Sequence, residues 1–218
     1  MKLAIRLLGL GFCLSLSSRS LAMVTVDFVG GGNSSTSVVS FVTPGNPITL
    51  SETATSGSEF GMLIELGTDT IGLQTGGLWM QRTGSVTMGW MGNTVTEAFT
   101  MNSIQVPAVL RIHPTSFLAF GVGAVFNFGQ GDISVTQTDP GNLAGGNKTT
   151  SESYSDFGQP TIDTAAVGNV EIDIPLGSMA HLLLRGEYQY GLTNLDNSGT
   201  LNEKINVISY MGGIGFSF

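Results

Sequence analysis

Several things are scarce in this chain of 218 residues. It has one cysteine, Cys13, which excludes an internal disulfide framework. Charge is low, at 11% of residues against a usual ~25%. Basic charge is lower still: 8 Lys and Arg stand against 16 Asp and Glu. That balance excludes a surface built to neutralise nucleic-acid phosphates. No stretch after residue 22 approaches the ~20 consecutive apolar residues of a spanning helix.

What is present is apolar character without apolar runs. Mean hydropathy is +0.25, and 31 residues are glycine. Apolar residues dispersed through short alternating strands are how a transmembrane barrel distributes its lipid-facing surface. The first 22 residues read as a secretory signal: Lys2 and Arg6 give a positive start, 7–16 an apolar core, and Ser20 and Ala22 the small residues before a cut. Phe12 stands where a lipoprotein signal would carry a small residue before its cysteine, so Cys13 is not expected to be lipidated. The domain organisation is therefore a signal peptide over 1–22 and one barrel domain over 23–218. Cleavage removes Lys2, Arg6, Arg19 and Cys13, leaving five basic residues and a formal net charge of −11.

The rhythm of connections predicts the fold. Strands are expected at 23–30, 58–66, 70–83, 102–113, 116–129, 161–174, 179–192 and 205–218. Three connections are tight and carry turn residues, at 67–69, 114–115 and 175–178. The others, at 31–57, 84–101, 130–160 and 193–204, read as long polar loops. Strict alternation of short and long belongs to an antiparallel up-and-down outer-membrane β-barrel of eight strands, with short periplasmic turns, long extracellular loops and both termini periplasmic. The first strand stays open between 24–28 and 38–42.

Alternation inside the strands assigns faces. Ile104, Leu110 and Ile112 oppose Gln105, Arg111 and His113; Leu182, Leu184, Tyr188 and Tyr190 oppose His181, Arg185, Glu187 and Gln189. Ile162, Val170, Ile172 and Ile174 oppose Asp163, Asn169, Glu171 and Asp173. The apolar faces should meet lipid. The inward charges Glu65, Arg111, Glu171, Arg185 and Glu187 should then neutralise one another as a lumen plug, because eight strands leave room only for side chains. Phe60, Trp79, Phe126, Phe128, Tyr188 and Tyr190 fall toward the outer rim as an aromatic girdle. Tyr210, Phe216 and the terminal Phe218 lie at alternate positions of the last strand, like the signal read by the barrel-assembly machinery.

Three segments resemble the PorT-like family of outer-membrane β-barrel domains, among the small OmpA-like barrels. Residues 103–111 (SIQVPAVLR) look like its strand with an I-P-x-L-L core. Residues 120–124 (FGVGA) look like the glycine-rich strand that follows, and 187–194 (EYQYGLTN) like its Y-x-Y-G-L-T-N segment. The resemblance covers about 58–218 and departs at Ser103, where the family often has tyrosine. It implies a barrel and permits a role beside a secretion system.

Other constellations carry less. His113 and His181 lie near Ser116 and Ser178, but nothing assembles a nucleophile, base and orienting group, so no enzyme is expected. Asp132, Asp139, Glu152, Asp156 and Asp163 lack the tight spacing of a calcium loop and read as solvated acids. No cofactor, metal or catalytic residue is expected. The reading is a monomeric bacterial outer-membrane barrel with a structural or surface-interaction role. Its partners would be membrane lipids, the barrel-assembly machinery and an extracellular or envelope protein. The alternatives are a small-solute porin-like channel and an accessory barrel of a secretion system.

Overall fold

The computed structural model describes residues 23–41, 49–90, 93–139, 145–156, 159–195 and 201–218. The signal peptide expected over 1–22 lies outside the described residues. The strands are β1 (Met23–Phe41), β2 (Thr49–Thr53), β3 (Thr55–Gly67), β4 (Ile71–Trp90), β5 (Asn93–Thr115), β6 (Leu118–Thr138), β7 (Lys148–Glu152), β8 (Ile162–Pro175), β9 (Ala180–Gly191) and β10 (Leu201–Ser217). β2 and β3 both pair with β4, so they act as one barrel strand interrupted at Ala54. β7 folds back on β6 outside the main ring. β1 pairs with both β10 and β3, and β4 with β5, so the sheet closes on itself. The fold is a closed eight-stranded antiparallel barrel with neighbouring strands joined in chain order.

Local sequence explains the wall. β9 shows the period-2 pattern plainly: Leu182, Leu184, Tyr188 and Tyr190 are exposed, while Leu183, Arg185, Glu187 and Gln189 are buried. Ile104, Leu110 and Ile112 on β5 and Val170, Ile172 and Ile174 on β8 likewise face outward. These rows form an apolar belt around the turn-side half of the barrel. The turns themselves are short. Thr68 closes the first, its hydroxyl accepting from the Thr70 and Ile71 amides at 3.2 Å each. Pro107 has no N–H to donate, and the β4–β5 ladder is interrupted between Gln74/Val109 and Leu78/Gln105 around it.

Two expectations need correction. Among the described residues, the strands run well into the segments expected as long loops: β1 runs to Phe41, β4 to Trp90, β5 starts at Asn93, β6 reaches Thr138 and β10 starts at Leu201. The two candidates for the first strand, 24–28 and 38–42, are parts of one continuous strand, residue 42 lying outside the described residues. The physical reason is pairing. Once a barrel closes, the Ser/Thr-rich continuation of one strand finds the next beside it, and threonine suits a strand well. Ser34 lies opposite Ser56, Thr83 opposite Thr100, and Thr100 opposite Ser134. At 23 residues β5 exceeds twice the ~9–11 residues a spanning strand needs. The second correction is small. The turn expected at Pro114 and Thr115 lies at Ser116 and Phe117, after a register shift between Ile112 and Thr115. That irregularity accommodates Pro114 at the strand end.

Candidate functional site

The lumen is the place where this fold concentrates chemistry, and it is stacked in layers. In the turn-side half, five side chains from four strands meet. Arg111 on β5 reaches Glu65 on β3 at 3.1 Å and Glu171 on β8 at 2.5 Å. Arg185 on β9 donates to Glu187 at 3.1 and 2.7 Å, and lies 3.6 Å from Glu171. Glu171 is thus shared between the two guanidinium groups. Neutral groups complete the layer: Gln74 accepts from Arg185 at 2.5 Å, and Gln189 donates to Glu187 at 2.9 Å. The two arginines and three glutamates would carry one surplus negative charge, and His113 stands on it, 2.6 Å from Glu65.

Apolar layers lie against this network. Val29, Leu63, Leu78, Leu183 and Met211 form one buried cluster, and Val109, Val125, Ala165 and Val167 another. Further from the turns Arg82 donates to Asp163 at 2.6 Å, and Asn127 donates to the same carboxylate at 2.7 Å. The far section is filled by a third cluster that includes Met80, Phe99, Met101, Ile133, Tyr154 and Ile205. Tyr154 belongs to the segment after β7, and its hydroxyl donates to the Asn102 carbonyl at 2.7 Å. Among the described residues, buried side chains therefore occupy the lumen from the charge layer outward. At the opposite, turn-side mouth a cavity of about 280 Å³ remains.

The structure brings together all five residues of the expected charge network: Glu65, Arg111, Glu171, Arg185 and Glu187. It adds members that alternation did not single out. Asp27 is buried at 1% exposure. It was legible in principle, since Val24 and Phe28 share one face of β1 and Asp27 lies on the other. The Arg82–Asp163 pair joins residues 81 apart and had no local signal. Asp163 therefore belongs to the lumen and not to a loop. The other acids weighed as calcium ligands bind neighbours of their own: Asp139 accepts from the Gly146 amide at 3.3 Å, Asp132 from Ser151 at 3.4 Å and Asp156 from Ser153 at 2.6 Å. Among the described residues no group of three or more His, Cys, Asp or Glu stands where it could hold a metal ion. His113 and His181 line the mouth with Ser116 and Ser178, but their ring nitrogens bind Glu65 and Asp27.

The girdle residues Phe60, Phe126, Phe128, Tyr188 and Tyr190 are exposed on the outer wall. Trp79 is half-buried, its ring 5.2 Å from that of Phe60 and tilted by 33°. Tyr210, Phe216 and Phe218 also face outward, and Phe218 exchanges backbone hydrogen bonds with Val24.

No protein-family model matches the chain, and no curated protein matches it. Solved structures do. The attachment invasion locus protein Ail of Yersinia pestis is similar at 11% identity and a TM-score of 0.39, over 89% of this chain and 99% of that one. The outer membrane protein OprG of Pseudomonas aeruginosa is similar at 12% and 0.43, over 92% and 98%. The outer membrane protease OmpT of Escherichia coli is similar at 7% and 0.49, over 90% and 97%. At these identities and scores no activity or partner transfers, and the barrel rests on this chain's own strand pairing.

Proposed function

We propose that this chain is an exported, non-conducting barrel of a bacterial outer membrane, with its short turns in the periplasm and a structural or surface-interaction role. The observation that carries the reading is the filled lumen. Among the described residues, a buried ion-pair network, two apolar clusters beside it and a third at the far end place buried side chains across the lumen. The exposed apolar belt supports membrane insertion, since a wall of such rows is stable only against lipid or a partner. Beyond the belt, the paired Ser/Thr-bearing strands continue the wall, an extension suited to presenting a surface. Export by cleavage after Ala22 and a non-enzymatic role belong to the same proposal.

The PorT-like segments at 103–111, 120–124 and 187–194 lie on β5, β6 and at the end of β9. A barrel wall itself favours alternating apolar residues and glycines at such places, so these segments support the fold more than any particular partner. Two measurements test the proposal. Planar-bilayer recordings of purified protein should show little conductance; stable, salt-dependent channels would restore the porin alternative. Cysteines placed at Asn147 and Thr68 should be labelled on intact cells at Asn147 alone; labelling at Thr68 alone would invert the orientation.

A further inference from the structure

The cavity at the turn-side mouth is lined by the carboxylates of Asp27, Glu65, Asp69, Glu171 and Asp173. Arg111, His113 and His181 are the basic side chains beside them. The partners do not balance. Arg111 is engaged with Glu65 and Glu171, and His113 with Glu65. One imidazole is left between two acids: His181 Nε2 lies 3.1 Å from Asp27 Oδ1 and 3.8 Å from Asp173 Oδ1. Asp27 is 1% exposed, yet its Oδ2 has no hydrogen-bond partner, and neither does Asp173 Oδ1. A buried carboxylate oxygen is costly to leave unsatisfied, so such a group commonly marks a place something else occupies.

The space suits an organic cation better than a bare ion. A water needs only about 10–15 Å³ of such room, against about 280 Å³ here. The acids are spread around the wall and do not converge as metal ligands do. Met23, Met179 and Ala180 give the mouth an apolar side, where an alkyl stem can lie while its charged head meets the acids.

We propose that the turn-side mouth binds a primary ammonium group on a short alkyl stem, with the ammonium donating to Asp27 and Asp173 and the stem lying on Met23 and Met179. This does not depend on which way the barrel faces, nor on whether the lumen conducts. The ammonium could belong to a free amine or to a lysine side chain of another protein.

The chain's two histidines both line this cavity, so their imidazole NMR signals report on it directly. Full-length protein in detergent micelles is titrated with n-butylamine at fixed pH and ionic strength. Saturable shifts of the His181 signal are expected with n-butylamine and not with n-butanol or sodium chloride. D27N, first checked for heat-modifiable gel mobility, should weaken the apparent affinity at least about tenfold, as removing one partner of a buried charge pair does. D173N provides a second, independent variant with the same expectation. A capped glycyl-lysyl-glycine peptide that binds as well as n-butylamine would assign the site to lysine side chains; binding of n-butylamine alone would assign it to free amines. The proposal is overturned by unsaturable shifts, by equal shifts with sodium chloride, by saturation with magnesium chloride alone, or by unchanged affinity in both variants.

Discussion

Replacing Arg185 by methionine should destabilise the barrel more than the same change at Arg111, although both guanidinium groups are buried. Arg185 makes two contacts to one oxygen of Glu187, at 3.1 and 2.7 Å. Without it, Glu187 keeps only neutral donors, Gln189 at 2.9 Å and Asn169 at 3.5 Å. Loss of Arg111 leaves each of its acids a basic neighbour. Glu65 retains His113 at 2.6 Å, and Glu171 retains Arg185 at 3.6 Å. Removing one partner of a buried pair typically costs about 3–5 kcal/mol, because the other charge is stranded. Arg185→Met should lie near the top of that range and Arg111→Met near the bottom. The difference, about 2 kcal/mol, is about thirtyfold in the unfolding equilibrium. Urea unfolding in phospholipid vesicles, followed by tryptophan fluorescence and gel mobility, measures it. The double variant Arg185→Met/Glu187→Gln should recover part of the loss, since the stranded carboxylate is gone. The reasoning fails if Arg111→Met costs more, if Arg185→Met costs under about 1 kcal/mol, or if the double variant recovers nothing.

Two further outcomes are expected. Leu184→Arg places a charge on the exposed apolar belt and should cost about 2–4 kcal/mol, whereas Thr136→Arg, on the exposed wall of β6 beyond the belt, should stay within about 0.5 kcal/mol; equal assembly of the two in vesicle-insertion assays would mean the belt is misplaced. Tyr154→Ala empties a large buried side chain from the far cluster and should cost about 3–5 kcal/mol, while Tyr154→Phe loses only the bond to Asn102 and should cost about 1 kcal/mol; proteolysis within 145–156 should rise in the alanine variant and hardly change in the phenylalanine one.

Several features were legible from residue order because they are local. A strand sends successive side chains to opposite faces whatever it pairs with, so Leu184 and Arg185 had to part, as did Ile172 and Glu171. Turn residues such as Thr68 close a tight connection on their own. From those two facts follow the strand count, the neighbour order and the outward and inward rows. The extent of the strands was not local. The segments around Ser34, Ser85, Thr100 and Ser134 are polar and read as loops, and they become strands because closure sets each beside a neighbour.

The lumen belongs wholly to the tertiary structure. Alternation divides a strand into two faces, but it does not say what Arg82, Asp27 and Gln74 meet. Arg185 finds Gln74 across 111 residues, and His181 finds Asp27 across 154. Barrel closure and strand stagger decide those pairings, and both are properties of the whole ring. Tyr154 shows the same division: its segment carries no strand pattern, and only the apolar space at the far end of the barrel gives its ring a place to be buried.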